Sequence, residues 1–205
     1  MIFNLQPSVF SLTPSGCFNM NKEFIAIRWH GRGGQGAITA AKIVAGAAFA
    51  SGYAGVVMAP TFGTERRGAP VMTSLKISKK KIYDLSPIET PDIVVVLDHL
   101  LLKEADVTHG LKPGGIIVLN TPMAHESYHF EDYRLATADI TAISVEAGLP
   151  HGMVNTGIIG SLEKATNLLG IDLLISGIAE EFRTRKPEKN SLAAKIAYER
   201  TVAGG

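Results

Sequence analysis

Short runs of β-branched and aliphatic residues alternate along the chain with segments of helical spacing and with glycine- or proline-bearing turns. Phe24-Ile25-Ala26-Ile27-Arg28-Trp29, Gly55 to Ala59, Val71 to Ile77, Ile93 to Leu97 and Ile116 to Leu119 read as strands, and Ala37 to Ala50 and His99 to Ala105 read as helices. Ile93 to Leu97 (IVVVL) does not alternate, which is the pattern of a strand buried on both faces of a parallel sheet. Ile116 to Leu119 repeats it after the turn Lys112-Pro113-Gly114-Gly115. Strands alternating with helices predict an α/β chain: an open, mainly parallel sheet with helices on both faces, a Rossmann-like three-layer arrangement. Val71 to Tyr83 is expected to add an antiparallel hairpin turning at Lys79-Lys80-Lys81. From Asp139 onward the apolar spacing becomes helical, in Ile140 to Ala147, Met153 to Leu169, Leu173 to Phe182 and, after Pro187, Leu192 to Arg200, giving a helical C-terminal third. Residues 1–19, with Pro7, Pro14, Ser15 and Gly16, read as a loose N-terminal extension ahead of Met20. Residues 20–205 read as a single α/β domain, with Ala203-Gly204-Gly205 as a fraying tail.

At 205 residues and 46% hydrophobic, the chain is large enough to bury a sizeable core. Twenty Lys and Arg against 19 Asp and Glu leave a formal charge of +1 with no basic stripe, which argues against a nucleic-acid partner. The lone cysteine, Cys17, excludes an intramolecular disulfide, a Cys-x-x-Cys redox pair and a self-contained iron–sulfur cluster, which takes four thiolates. No run approaches about 18 uninterrupted apolar residues, and the N-terminus lacks the basic start and apolar stretch of a signal peptide. The expectation is a cytoplasmic chain that does not enter a membrane.

Candidate chemistry concentrates between the first strand and first helix, at His30-Gly31-Arg32-Gly33-Gly34-Gln35-Gly36. A strand, a glycine loop and a helix N-terminus expose bare N–H groups that bind phosphate or another nucleotide-like anion, and Arg32 and Gln35 add side-chain donors. Gly31, Gly33 and Gly36 satisfy G-x-G-x-x-G, but the acid about 20 positions on that grips a dinucleotide ribose is missing. After Glu23 no Asp or Glu occurs until Glu65, and the second strand ends in Pro60-Thr61-Phe62. This counts against a stand-alone Rossmann-type NAD(P) oxidoreductase; the blander reading is that the glycines merely let a helix pack on a strand. The loop from Pro60 to Pro70 holds Glu65, Arg66, Arg67 and Gly68. Its arginines would each bond an anion and Gly68 would let backbone approach it, the alternative being a surface Glu–Arg pair. Loops at the carboxyl ends of parallel strands meet in the ligand crevice, which would bring Gly31–Gly36, Glu65–Gly68 and the Asp98-His99 corner together. Asn155, at the start of a helical segment, either caps that helix or bonds a ligand.

Other motifs fall away. His125-Glu126-Ser127-Tyr128-His129 matches H-E-x-x-H, but zinc chemistry needs both histidines on one face of a sustained helix. Pro122 just before and Tyr128, Phe130 and Tyr133 around it fit a polar surface loop or edge strand without zinc. Neither G-x-S-x-G nor a P-loop occurs.

Three blocks together resemble the gamma subunit of the 2-oxoacid:ferredoxin oxidoreductases: His30 to Gly36, Phe62-Gly63-Thr64-Glu65-Arg66-Arg67-Gly68-Ala69-Pro70-Val71, and Pro91-Asp92-Ile93-Val94-Val95-Val96-Leu97-Asp98. The likeness spans roughly Met20 to Arg200. Many members carry Arg-Gly-Gly where this chain has Arg67-Gly68-Ala69, and Glu65 to Pro70 looks like the pyruvate and 2-oxoisovalerate branch. The resemblance implies a multisubunit complex, pyruvate synthase in type, that converts a 2-oxoacid, coenzyme A and oxidised ferredoxin into acyl-CoA, carbon dioxide and reduced ferredoxin. It implies thiamine diphosphate with magnesium between alpha and beta subunits and iron–sulfur clusters in beta and delta. This chain would bind no cofactor tightly, would aid coenzyme A binding and assembly, and would be inactive alone, self-associating into a homodimer when isolated. The residues carried into that role are Gly31, Arg32, Gly33, Gly34, Gln35, Gly36, Glu65, Arg67, Gly68 and Asn155, with no catalytic residue and no metal ligand. A non-catalytic anion-binding assembly module is the remaining alternative.

Overall fold

The computed structural model describes residues 22–60 and 68–204. Its elements are β1 (Phe24–Arg32), α1 (Ala37–Ala50), β2 (Gly55–Pro60), β3 (Pro70–Ser78), β4 (Ile93–Val96), α2 (Leu101–Glu104), β5 (Ile116–Asn120), β6 (Arg134–Ala138), α3 (Ile140–Glu146), α4 (Asn155–Thr166), α5 (Ile171–Glu181), α6 (Pro187–Arg200) and β7 (Val202–Gly204). The strands form a seven-stranded sheet in the order β2-β3-β1-β4-β5-β6-β7. Its centre, β1, β4, β5 and β6, is parallel, while β2, β3 and β7 pair antiparallel at the flanks. The expected residues 1–19 extension lies outside the described residues.

Every residue of β4 and β5 is buried, as their unbroken apolar runs require. Alternation in β1 sends Ile25, Ile27 and Trp29 to one face, where they join a core built with α1, α4, α5 and α6. The opposite face is covered more thinly: Val94, Val96, Ile117, Leu119 and Leu135 pack under Leu101, Val107 and Leu111, with Tyr128, Phe130 and Tyr133 against them. Helices thus cover both faces unequally, with only the single-turn α2 on the thin one.

Two expectations are corrected. No hairpin turns at Lys79-Lys80-Lys81: β3 ends at Ser78, and its hairpin partner is β2, across residues 61–67. Both edges of β3 are already occupied, by β2 and β1, so a strand after the lysines cannot pair with it. Nor does the whole tail fray. Val202, Ala203 and Gly204 pair with Thr137, Ala136 and Leu135, covering the edge that β6 would otherwise expose. That strand, Arg134–Ala138, was not expected from the sequence. α6 also begins earlier than its apolar spacing suggests, because Pro187 sits in its first turn, where a missing N–H costs nothing.

Close helix contacts fix the helical layer. A side chain at Gly160 of α4 would strike the Ala194 carbonyl of α6, whereas a Cβ added at Gly46 of α1 would meet nothing within 4 Å. On the opposite, thin face β1 places Arg28, His30 and Arg32 beyond Ala26. Arg28, 5% exposed, donates to the Val107 carbonyl at 3.0 Å and to the His109 carbonyl, and its Nε donates to His30 Nε2 at 3.1 Å. His30 is therefore an acceptor at Nε2, with its proton on Nδ1. Burial, and then the neighbouring Arg28 charge, push its pKa down to about 4.

Two outcomes follow from this packing. Gly160→Ala destabilises by roughly 1–3 kcal/mol through overpacking, while Gly46→Ala, relieved only of backbone entropy, stabilises by roughly 0.5–1 kcal/mol; urea denaturation reads both. The unfolded chain protonates His30 near pH 6.5 and the folded chain only near pH 4, so stability is full above pH 6.5 and is lost as pH falls toward 4. The loss amounts to about 3 kcal/mol, and in His30→Gln this part of the acid-side slope disappears from stability measured across that window.

Candidate functional site

β1 hands over to Gly33-Gly34-Gln35-Gly36, and α1 starts at Ala37. Gly34 (φ 98°) and Gly36 (φ 82°) occupy left-handed backbone that a side chain strains, and Gly36 is the N-cap of α1. A Cβ on Gly36 would lie 2.9 Å from Asn155 Nδ2. The first i→i−4 bond of α1 runs from Ala40 N to Gly36 O, and its first turn carries no acidic residue. The N–H groups ahead of Ala40 thus form a positive helix end without a carboxylate of its own, suited to an anion.

Internal bonds fix the loop. Gln35 Oε1 accepts from Arg32 N at 2.8 Å, and Gln35 N donates to Arg32 O at 3.0 Å. Gly33 N donates to Ala69 O at 2.9 Å and Gly68 N donates to Gly33 O at 3.1 Å, carrying the β1–β3 pairing past the register Arg32↔Pro70. The glycine loop and the Gly68 end of the second motif therefore meet, as the sequence expectation has it. Glu65, Arg66 and Arg67 lie outside the described residues.

Arg32 is engaged internally. Its Nε donates to Asp98 Oδ2 at 2.6 Å, Nη2 to Glu104 Oε1 at 2.6 Å and Nη1 to the Gly68 carbonyl at 3.2 Å. Hydrogen bonds to Glu104 and then Asp98 raise its pKa above an already high ordinary value. Burial pushes the Asp98 carboxyl up, but Arg32 and the Leu100 N–H more than offset this, so it remains a carboxylate. Asn155 is the first residue of α4, 6% exposed, and makes no cap bond; its amide packs under Gly36, and its Oδ1 is buried with no hydrogen-bond partner among the described residues.

A cavity of about 770 Å³ opens at the carboxyl ends of the parallel strands, bordered by Gln35, Asp98, His99, Asn120, Asp139 and His151. Asn120, at the end of β5, builds its floor. Its Nδ2 donates to Leu97 O at 2.9 Å and its Oδ1 accepts from Ile140 N at 2.9 Å, locking β4, β5 and α3 together. Asp139 caps α3 through Ala142 N at 2.9 Å, and Glu146 is paired with Arg200 at 2.6 and 2.7 Å. The cavity's carboxylates are thus each spoken for. Sequence reading missed Asn120; the only trace is a polar residue closing an otherwise apolar strand.

The arrangement also explains why no ribose-gripping acid is present. The neighbour of β1 away from β4 runs antiparallel, so what reaches the carboxyl edge there is Pro70 at the start of β3. H-E-x-x-H lies on a 3-10 turn, His125–Ser127, with His125 Nδ1 3.0 Å from Thr137 Oγ1. Among the described residues no helix is long and apolar enough to cross a membrane.

The model of the pyruvate ferredoxin/flavodoxin oxidoreductase family matches residues 26–200. The gamma subunit common to the pyruvate and ketoisovalerate oxidoreductases of Thermococcus kodakarensis is 46% identical over 183 residues, covering 87% of this chain and 97% of that protein. The crystal structure of pyruvate oxidoreductase subunit PORC from Thermotoga maritima shares 30% identity and a TM-score of 0.77, covering 90% of this chain and 100% of that one. The fold recurs at 20% identity and a TM-score of 0.69 in the 2-oxoglutarate:ferredoxin oxidoreductase of Magnetococcus marinus with 2-oxoglutarate, coenzyme A and succinyl-CoA bound; the match covers 87% of this chain and 30% of that one. Family model, relatives and fold agree: this chain is a gamma-subunit member of the pyruvate ferredoxin/flavodoxin oxidoreductase family.

Proposed function

We propose that this gamma subunit anchors coenzyme A for a 2-oxoacid:ferredoxin oxidoreductase and helps to assemble that complex, leaving the redox chemistry to its partners. The observation that carries the reading is the bare amino end of α1, cradled by Gly34 and Gly36 at the mouth of a cavity of about 770 Å³. Phosphate groups suit that helix end. Asn155 Oδ1, an acceptor buried beside Gly36 without a donor, offers a polar partner to a bound molecule. The comparisons support the choice of ligand: a protein of the same fold holds coenzyme A.

The complex converts a 2-oxoacid, with pyruvate or 2-oxoisovalerate as the class, together with coenzyme A and oxidised ferredoxin, into acyl-CoA, carbon dioxide and reduced ferredoxin, or runs in reverse. Thiamine diphosphate, magnesium and iron–sulfur clusters belong to the alpha, beta and delta partners. A chain whose one cysteine is Cys17 has no four-thiolate set of its own. Cofactors carry the chemistry, and the fold of this chain contributes orientation. The setting is cytoplasmic, and the isolated chain hides its partner surface by pairing with a second copy.

The test is kinetic, on the reconstituted complex. Gly33→Val blocks close approach of a phosphate, and Arg67→Ala removes a charge-assisted bond worth roughly 1.5–3 kcal/mol, or about tenfold to 150-fold in affinity. Both raise KM for coenzyme A more than KM for the 2-oxoacid. Wild-type coenzyme A dependence in both variants, combined with lost assembly, would make the loop an interface element and end the coenzyme A assignment.

A further inference from the structure

Arg32 is one of the charged side chains that the sequence assigns to the ligand, yet its three guanidinium nitrogens are all engaged, by Asp98, Glu104 and the Gly68 carbonyl. Asp98 is what makes this arrangement informative. Its carboxylate, just beyond the end of β4, borders the same cavity as Gln35 of the glycine loop, with 13% of the side chain exposed. Left alone, it would set a negative charge against the negative ligand. Glu104 differs: at 45% exposure it is solvated and does not border the cavity.

We infer that Arg32 is a positioning residue that acts on coenzyme A through Asp98, masking the carboxylate on the cavity wall without touching the ligand. The inference rests on the coenzyme A reading of the site. Arg32 gathers four segments at one point: the end of β1, the corner after β4, α2, and the chain entering β3. Its own backbone N–H is held by Gln35 Oε1, so the loop and the masking charge are one unit. The proposal makes a signed prediction that a direct phosphate ligand does not.

The experiment measures KM for coenzyme A, KM for the 2-oxoacid and kcat in the reconstituted complex, together with coenzyme A binding by calorimetry. The variants are Arg32→Met, Asp98→Asn, the double variant, Arg32→Lys and Gly33→Val, each checked for folding by thermal melting. Arg32→Met unmasks Asp98 and raises KM for coenzyme A roughly tenfold with kcat little changed. Asp98→Asn, which leaves Arg32 with one carboxylate partner, does not raise it. The double variant, with neither charge, returns to within about threefold of wild type, and Arg32→Lys stays within the same range because it keeps the charge. A double variant as weak as Arg32→Met makes Arg32 a direct ligand and overturns the inference; Asp98→Asn as damaging as Arg32→Met makes the ion pair purely structural and overturns it equally. Gly33→Val separates the two layers: if it leaves coenzyme A binding intact, the coenzyme A reading itself has failed, whereas weakened binding there without rescue in the double variant sinks only the role given to Arg32.

Discussion

Strand β1 must satisfy two neighbours that run in opposite directions, β4 parallel to it and β3 antiparallel, while being buried along nearly its whole length. That constraint shapes the site. In a sheet whose first strand has parallel neighbours on both sides, two strand-to-helix turns open side by side at the carboxyl edge. Here one of them is replaced by the chain coming back into β3. Its Gly68 and Ala69 close on Gly33 through two backbone bonds. The glycine loop is thereby fastened from the flank on which a dinucleotide site would offer its ribose acid, and what remains accessible is the amino end of α1 and the cavity on the β4 side.

The same strand carries a column of polar groups on its thin face, and each is handled differently. At its amino end the Ala26 N–H binds the buried Asp92, whose other oxygen takes Lys22 and Lys112 at 2.9 Å, so one carboxylate pins the starts of β1 and β4. Midway, Arg28 is satisfied by carbonyls and a neutral histidine. At the carboxyl end, Arg32 meets two carboxylates. Buried charges gain little net stability unless fully bonded, and removing one partner costs far more than the pair contributes. These groups therefore specify where loops sit more than they stabilise the sheet. The apolar residues between them, Ile25, Ile27 and Trp29, supply the burial.

How far the sequence was legible follows from the range of the interactions involved. Ile93 to Val96 and Ile116 to Leu119 declare buried parallel strands because burial on both faces leaves no polar position. Arg134–Ala138 gives no such signal, since a short strand with Thr137 and three small or charged neighbours resembles a loop until β5 supplies its ladder. β7 is invisible for a related reason: of Val202-Ala203-Gly204 only Val202 favours a strand, and the segment pairs through the edge it covers. The run Lys79-Lys80-Lys81 misled the hairpin expectation because it reads as a solvated turn between strands, whereas both edges of β3 are taken by β2 and β1. In the site, the glycine loop is local and was legible. The engagement of Arg32 by partners 66 and 72 residues away was not, and neither was the contact of Asn155 with Gly36.

The way the site is built also suits a substrate better than a resident cofactor. A helix end offers backbone N–H groups and a partial charge of roughly half a unit, an attraction that is real but modest. The carboxylates bordering the adjoining cavity are each neutralised or committed to a cap, so it neither repels an anion strongly nor grips one. On the proposed reading, coenzyme A would enter, react and leave as acyl-CoA at every turnover, and binding substrate far more tightly than that cycle requires would not raise kcat. A site of fixed backbone donors with compensated charges provides orientation without a trap. Under the proposed function the division of labour has a physical basis: a subunit whose one cysteine is Cys17 would present a ligand in one orientation, and the loop proposed to hold that ligand is itself held by β3 and Arg32.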